Sequence, residues 1–351
     1  MEYLEEKKKE MKLCLTGLGL GHNNAKASVV VCLRESISDY LSDMFFIDSK
    51  KEIYFYKDGR FSLTSPDMIL SIIRKVMKEL NVGVIYTNET ILRKIRKTLI
   101  GKINLEFKRS RNLISFNNGI LDLNTYAIHR HSINLMPLAH FDCDYEPEAK
   151  CPLWENFLRE NIGDDQAVKL QEFLSLVFID KDEVNPEVAM SFAGDGYGVK
   201  SVVRNTIKNV FGDNYSAALL SQICKGSSSD FHTAAIDFKL VNFAPDMDSF
   251  DLVKSRFKSF LSRNSILARN PRTQTFYVDN LPLIIGDNLY EPNIDRKNSH
   301  IWNNIIIIRF KDYNVSPIII NEIELEKSGI INWLIAGRKR IINNNGIFTF
   351  I

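Results

Sequence analysis

The stretch "SFAGDGYGVKS", which runs from Ser191 to Ser201, decides the fold of this chain. It continues an apolar run that begins at Val188, contains three glycines at alternate positions, and ends in Lys200 and Ser201. This is the pattern of a phosphate-binding loop, in which backbone N–H groups surround a phosphate, the lysine reaches it and the hydroxyl holds Mg²⁺. The stretch departs from the pattern at Val199, where the motif has a glycine.

Short apolar runs recur after the loop and alternate with stretches of helical periodicity. Such runs are typical of parallel strands that are buried on both faces of a sheet, so the chain after Pro186 predicts an α/β domain. The isoleucine-rich run Ile305–Ile308 predicts a central strand of that sheet. The apolar runs are Val188–Ala193, Leu240–Ala244, Leu281–Gly286 and Ile305–Phe310.

The first half of the chain carries different patterns. Phe45–Leu63 alternates apolar and polar residues around Asp58-Gly59, which predicts a β-hairpin. Ser65–Leu99 has helical spacing and opens on a Ser-Pro-Asp start signal. Ile114–Ser132 predicts a second hairpin, with its turn at Asn118-Gly119.

Composition sets the class of protein. Apolar residues make up 45% and charged residues 25%, as in an ordinary globular protein, and the net charge is only +2. No apolar run is long enough to span a membrane, and five cysteines without a CxxC pair predict reduced thiols. We therefore expect a cytoplasmic protein, in the host cell cytoplasm if the chain is viral, with no membrane partner.

A basic stretch lies between Arg93 and Arg111. It holds eight Lys or Arg residues and a single acid, Glu106. Two interpretations stay open, a solvated helix face and a surface that faces nucleic acid.

Taken in order, the motifs resemble one family from about residue 45 onwards. They are similar to the helicase part of viral, phage and plasmid primase-helicases, the superfamily III helicases of the poxvirus and phage-satellite type, within the AAA+ ATPases. Beside the loop, the resemblance rests on six stretches. These are "FNNGILDL" (Phe116–Leu123), "FDCDYEPEAKCPLWENFL" (Phe141–Leu158), "KLVNFAPDMD" (Lys239–Asp248), "LPLIIGDN" (Leu281–Asn288), "WNNIIIIRF" (Trp302–Phe310) and "EKSGIINWLIAGRKRI" (Glu326–Ile341).

The resemblance implies an α/β AAA+ P-loop ATPase core preceded by a mostly helical N-terminal domain. It divides the chain into a linker from a possible preceding domain (1–15), a β-containing segment (16–64), a helical collar domain (65–185) and the AAA+ domain (186–345). The implied partners are single-stranded DNA, further copies of the chain in a ring, a hexamer by resemblance, and a primase-polymerase domain upstream. The chain would then be the C-terminal region of a phage primase-polymerase.

The resemblance also implies roles for individual residues, with ATP and Mg²⁺ as the bound groups. Lys200, Asp246 and Asn288 are the implied catalytic residues, and Ser201 with Asp246 is the implied metal site. The implied nucleotide-binding residues are Gly194, Gly196, Gly198, Lys200 and Ser201. The implied DNA contacts are Arg263, Arg269 and Arg272, on a hairpin within Ser262–Val278.

Three departures from the family bear on catalysis. Val199 replaces a loop glycine, Pro245 replaces the first of two acids, and Asn303-Asn304 stands where the family carries arginines. Arg296, Lys297 and Arg309 are candidates to replace the missing arginine finger, which stabilises charge in the transition state. Two functions remain open: a ring-forming, DNA-binding module whose ATPase is weak, and a fully active ATP-dependent replicative DNA helicase.

Overall fold

The computed structural model describes residues 9, 27–48, 51–57, 59–194, 198–224, 228–245, 247, 255–270, 275–291, 304–310 and 318–349. Its contacts divide the chain into two compact units. The first unit holds residues up to Ser110 together with Arg130–Met136. The second unit holds Arg111–His129 and Pro137–Ile351.

From Ala27 onwards, the described residues of the first unit form three helices and a small antiparallel sheet in the order β1-β2-β3. Its elements are α1 (Ala27–Ser42), β1 (Phe45–Ile47), β2 (Ile53–Lys57), β3 (Arg60–Leu63), α2 (Pro66–Glu79) and α3 (Glu89–Lys102). The predicted hairpin is confirmed as β2 and β3. Ser65 begins α2 as predicted, because its hydroxyl accepts a hydrogen bond from the Met68 N–H at 3.2 Å. A short 3₁₀ turn, Val84–Tyr86, separates α2 from α3, so the helical spacing belongs to two helices.

The second unit begins with a four-stranded sheet in the order β6-β5-β4-β7. Its strands are β4 (Ser110–Phe116), β5 (Gly119–Asp122), β6 (Ile128–His129) and β7 (Pro137–His140). The predicted turn at Asn118 is confirmed, and the Asn118 side chain exchanges two hydrogen bonds with the backbone of Tyr145. Glycine is required at 119, since a Cβ there would lie 2.7 Å from a backbone oxygen.

The main sheet of this unit has five strands in the order β14-β8-β13-β10-β9, and all its pairs are parallel. The strands are β8 (Ala189–Ala193), β9 (Tyr215–Ser216), β10 (Val241–Pro245), β13 (Leu283–Asn288) and β14 (Ile305–Arg309). All four predicted apolar runs form strands. The prediction of a central position for the isoleucine run is wrong, because β14 lies at the edge of the sheet as described and β8 lies inside it. A helix packs on β14, so the isoleucines are covered without a second neighbouring strand.

Helices and one hairpin complete the second unit. The helices are α4 (Pro152–Ile162), α5 (Asp164–Ser175), α6 (Val199–Phe211), α7 (Leu220–Cys224), α8 (Ser229–Ala235), α9 (Ser255–Leu261), α10 (Ile318–Glu324) and α11 (Lys327–Asn343), and β11 (Ile266–Arg269) pairs with β12 (Thr275–Val278). Helix α5 is the one that packs on β14. No described helix has the length and apolar character that crossing a bilayer requires.

The unit boundary differs from the predicted domain boundary. The segment predicted as a helical collar, 65–185, contains α2 to α5 but also the sheet β4–β7. The division between the units falls within it, at Ser110 and Arg111. Side chains of α4 and α5 share one hydrophobic core with β8, β10 and β13, so these helices belong to the same folding unit as the main sheet.

Candidate nucleotide-phosphate site

The glycine-rich stretch lies at the carboxyl edge of the five-stranded sheet. Strand β8 ends at Ala193, and helix α6 begins at Val199. In an open parallel sheet, ligands bind outside the carboxyl ends of the strands, where helix N-termini expose backbone N–H groups. Several predicted residues lie outside the described residues: Gly196, Asp246, Arg272, Arg296, Lys297 and Asn303.

Gly194 opens the loop in a conformation that only glycine adopts readily. Its φ is +134°, and a Cβ at this position would lie 2.5 Å from the Phe310 carbonyl oxygen. Its N–H donates to the Leu289 carbonyl at 3.1 Å, which ties the loop to the residue after β13. The predicted need for glycine at 194 is therefore explained by the backbone of the neighbouring strand β14.

Val199 does not hinder the loop as expected from its sequence position. A glycine at this position of the motif permits positive φ, but Val199 is the first residue of α6 and is absent from the described non-glycine residues with positive φ. Its side chain is 1% exposed and joins the main hydrophobic core. A helical backbone accepts valine, so the backbone objection to Val199 is corrected. Gly198 directly before it is the N-cap.

Lys200 is buried and makes two polar contacts at the sheet edge. Its Nζ lies 2.8 Å from Asp287 Oδ1 and donates to the Asn288 carbonyl oxygen at 2.8 Å. The second oxygen of Asp287 accepts a hydrogen bond from Arg204 at 2.7 Å. Sequence reasoning missed Asp287 and Arg204. The signals were the position of Asp287 at a strand end beside Asn288, and the i, i+4 spacing of Arg204 from Lys200, which puts both on one helix face.

Asn288 and Ser201 lie at the same edge. Asn288 is 2% exposed, donates to Ser191 Oγ at 3.0 Å and accepts from the Met247 N–H at 2.6 Å. Ser201 Oγ donates to the Gly198 carbonyl at 2.8 Å. The structure thus places Lys200 of α6 against the Asn288 backbone of β13, with Ser201 next along the helix. An ammonium and a hydroxyl oxygen suit phosphate and Mg²⁺, whereas both polar atoms of the Asn288 amide are bonded within the protein.

Two further strand ends contribute to this edge. Pro245 is the last residue of β10, is exposed, and is in register with Asp287 of β13. The Asp287 carboxylate therefore lies on the strand next to the position where Pro245 replaces the family's acid. Arg309 closes β14 in register with Ala193 and pairs with Glu291 at 2.6 Å. Of the three arginine-finger candidates, Arg309 is the one that the described residues place at this edge.

The predicted DNA hairpin forms between β11 and β12, which are antiparallel. Arg269 closes β11 opposite Thr275, is exposed, and lies 4.7 Å from the centre of the Phe231 ring. An exposed guanidinium beside an aromatic ring at a hairpin end can reach phosphate, so the location of Arg269 is compatible with its predicted role.

Arg263 has a different role from the one predicted. It is 6% exposed, and its guanidinium donates to the carbonyls of Leu176 (3.2 Å), Ile179 (3.3 Å) and Val184 (2.9 Å). Burial lowers the pKa of Arg263 to about 10. A buried arginine with three carbonyl partners fixes the chain after α5, so the predicted DNA contact at Arg263 is corrected to a structural role.

The basic stretch Arg93–Arg111 is partly neutralised within the first unit. The partners are Glu89 for Arg93, and Glu35 and Asp39 for Lys102. Hydrogen bonds to these two acids raise the pKa of Lys102. Lys94 and Lys97 are exposed on α3. A basic surface therefore remains, but it is smaller than the sequence count suggests.

Known proteins match this chain in two ways. Residues 35–163 match the family model described as "D5 N terminal like". No curated protein sequence matches. Among solved structures, "The apo structure of NrS-1 C terminal region (305-718)" has a TM-score of 0.51 at 12% identity, covering 86% of this chain and 71% of that one.

Two A-form apo structures of the same NrS-1 C-terminal region give similar values. Both have a TM-score of 0.50 at 12% identity; one covers 83% of this chain and 65% of that one, and the other 86% and 72%. At this identity the similarity concerns the fold. The chain is therefore a mixed α/β protein whose fold resembles the NrS-1 C-terminal region, with a D5 N terminal like region at 35–163.

Proposed function

We propose that this chain is a ring-forming, helicase-like module of a phage or plasmid DNA replication protein, with a nucleotide site of weak ATPase activity. The observation that carries the proposal is buried Lys200 in the first turn of α6, next to Asn288 on the adjacent strand. The fold similarity to a C-terminal region of NrS-1 and the D5 N terminal like match support a replication role of the primase-helicase type. A P-loop AAA+ core of the superfamily III type is the finer part of this proposal.

ATP and Mg²⁺ fit the residues at this edge. Gly194 opens the loop with a positive φ that glycine adopts readily, and the Ser201 hydroxyl lies in the first turn of α6. Lys200 would contact phosphate oxygens, and Ser201 with Asp246 would hold Mg²⁺. The metal neutralises charge on the transferred phosphoryl group. Asn288 would orient water beside the terminal phosphate.

Weak turnover is supported by one of the three departures, Pro245, and by the pairing of the finger candidate Arg309. Pro245 offers no carboxylate at the end of β10, and Arg309, at the edge where a cation is needed, is held by Glu291. Val199 no longer argues for weak turnover, because it fits α6. Stabilisation of transition-state charge by an arginine contributes roughly three to five orders of magnitude, so its loss alone slows hydrolysis severely.

The second candidate, a fully active ATP-dependent helicase, is favoured by one observation. Asp287 supplies a carboxylate in register with Pro245. If the Asp287 carboxylate supports the metal, it replaces the acid that Pro245 lacks, from β13 instead of β10. ATP hydrolysis is then retained.

DNA binding and assembly complete the proposal. We infer that Arg269 and Arg272 contact the phosphates of single-stranded DNA in the channel of a ring, a hexamer by resemblance. A primase-polymerase domain in the same longer chain or replisome would be held by that ring. Repeated weak contacts around a ring give strong binding without ATP turnover, so a module of low activity still has a use.

The test measures ATP binding, turnover and assembly together. Light scattering at micromolar protein is expected to give a closed oligomer, and calorimetry to give weak ATP binding that Lys200→Ala removes. Turnover with single-stranded DNA is expected at least about a hundredfold below a typical enzyme rate of roughly 10 s⁻¹. Lys208→Ala, on the exposed face of the same helix, is the matched control. Rapid DNA-stimulated turnover that disappears in Lys200→Ala would establish the active helicase instead.

A further inference from the structure

Lys200 is engaged by two groups of the protein itself, the Asp287 carboxylate and the Asn288 carbonyl. We propose that Asp287 sets the affinity of this site by holding Lys200, and that Arg204 takes over Asp287 when Lys200 turns to a phosphate. The inference rests on the proposed function, since it concerns regulation of the same phosphate site. It assigns roles to two residues that the motif does not contain.

The three side chains form one charged cluster. Lys200 Nζ lies 2.8 Å from one Asp287 oxygen, and Arg204 Nη1 lies 2.7 Å from the other. The side chains of Lys200 and Asp287 are 8% and 13% exposed, whereas that of Arg204 is 42% exposed. Water therefore screens the Arg204 side of the cluster and barely reaches the Lys200 side.

This arrangement puts phosphate and Asp287 in competition. An ammonium has three donors, and two of them go to Asp287 and to the Asn288 carbonyl. While Lys200 keeps its contacts to Asp287 and Asn288, its third N–H can donate to a phosphate. A second hydrogen bond from Lys200 to the phosphate requires that Lys200 give up its contact with Asp287. Leaving a buried carboxylate without its cation is costly, so the pair lowers the affinity for phosphate.

Arg204 reduces that cost. Its guanidinium already binds the second Asp287 oxygen and has a planar fork that can bond both oxygens of a carboxylate. Because Arg204 is one helical turn from Lys200, it can hold Asp287 while Lys200 moves. Removing Asp287 and removing Arg204 should therefore change phosphate affinity in opposite directions.

The probe is inorganic pyrophosphate, titrated by calorimetry at constant ionic strength in EDTA, so that no metal contributes. Asp287→Asn is expected to tighten binding about tenfold, because a buried competitor is neutralised. Arg204→Gln is expected to weaken binding about threefold, a smaller effect because this side is screened. Asp213→Asn and Lys208→Gln make the same charge changes at exposed positions and are expected to stay within about twofold of wild type.

Each outcome decides the proposal. If wild type binds pyrophosphate and Asp287→Asn binds no tighter, the inference fails while the phosphate site stands. If Asp287→Asn weakens binding only when Mg²⁺ is present, Asp287 supports the metal, as the active helicase requires, and the inference fails. If neither protein binds pyrophosphate, the nucleotide site itself is lost. Thermal unfolding shows whether each variant is folded. If Asp287→Asn does not fold, Arg204→Gln, at a half-exposed position, decides instead. Weaker pyrophosphate binding by Arg204→Gln supports the proposal, and unchanged binding overturns it.

Discussion

Replacing Arg263 with methionine separates stability from DNA binding. Methionine matches the length of the arginine stem but removes the donors to Leu176, Ile179 and Val184. The Leu176 carbonyl keeps a bond from the Ile179 N–H at 3.2 Å, so the principal loss falls on the other two carbonyls. An unsatisfied buried carbonyl costs about 1–3 kcal/mol, and relief from burying the guanidinium charge offsets part of this. We expect the free energy of unfolding to fall by about 2–4 kcal/mol.

Urea denaturation followed by tryptophan fluorescence measures this change. Trp154, Trp302 and Trp333 all belong to the second unit, so the signal reports on the part of the chain that contains Arg263. At a temperature where the variant is folded, its affinity for single-stranded DNA and the salt dependence of that affinity should equal those of wild type.

Arg269→Met is the matched control, because this arginine is exposed. Its stability loss should be within about 1 kcal/mol, the value of one exposed cation–π contact. Its salt dependence should become shallower by about one phosphate contact per engaged subunit. The reasoning is refuted if Arg263→Met keeps wild-type stability and loses DNA affinity.

Three further predictions follow from the geometry of the described residues. Gly194→Ala should lose phosphate binding and about 2–4 kcal/mol of stability by urea denaturation, because its positive φ and a clash with a carbonyl oxygen both oppose a Cβ. Burial raises the pKa of Cys143 from 9.0 to about 11 and that of Cys224 to about 12, and thiols whose pKa is raised in the folded state stabilise it fully only below the unfolded value. Stability should thus fall as pH rises from 9 towards 11, and Cys143→Ala with Cys224→Ala should flatten this fall. Replacing Lys94 and Lys97 with glutamine should leave DNA affinity unchanged if α3 is a solvated face, and weaken it with a shallower salt slope if α3 faces nucleic acid.

The strands and turns of this chain were predictable because each depends on local pattern. The four apolar runs form β8, β10, β13 and β14, and the turn at Asn118 joins β4 and β5, which are consecutive in the sequence. The order of strands was not predictable in the same way. An isoleucine-rich strand can be buried by strands on both sides or by a helix over an edge, and its sequence is the same in either case.

Some residues of the candidate site could likewise be predicted from local sequence, and others could not. Lys200 and Ser201 could be placed together from the sequence because the loop and helix that present them are continuous. The partners of Lys200 were missed because Asp287 lies on a strand that follows the loop by more than eighty residues, and only the sheet register brings them together. Arg263 was misassigned for a related reason: in sequence it stands in a basic hairpin segment, whereas its carbonyl partners come from the distant α5 region.

Within the proposed nucleotide site, the structure moves the question of hydrolysis from Val199 to the acid. Val199 departs from the loop motif, yet it begins α6 and packs in the core. Replacing it with glycine would remove buried apolar contacts and add no backbone N–H group for phosphate. The acid is the more informative feature. With Pro245 at the end of β10, Asp287 is the carboxylate in register at the sheet edge, and it can serve either Lys200 or a metal-bound water. If Asp287 holds Lys200, it opposes phosphate binding. If Asp287 supports the metal, it favours hydrolysis. If the site binds phosphate as proposed, the two functions left open by the sequence differ in which charge Asp287 neutralises.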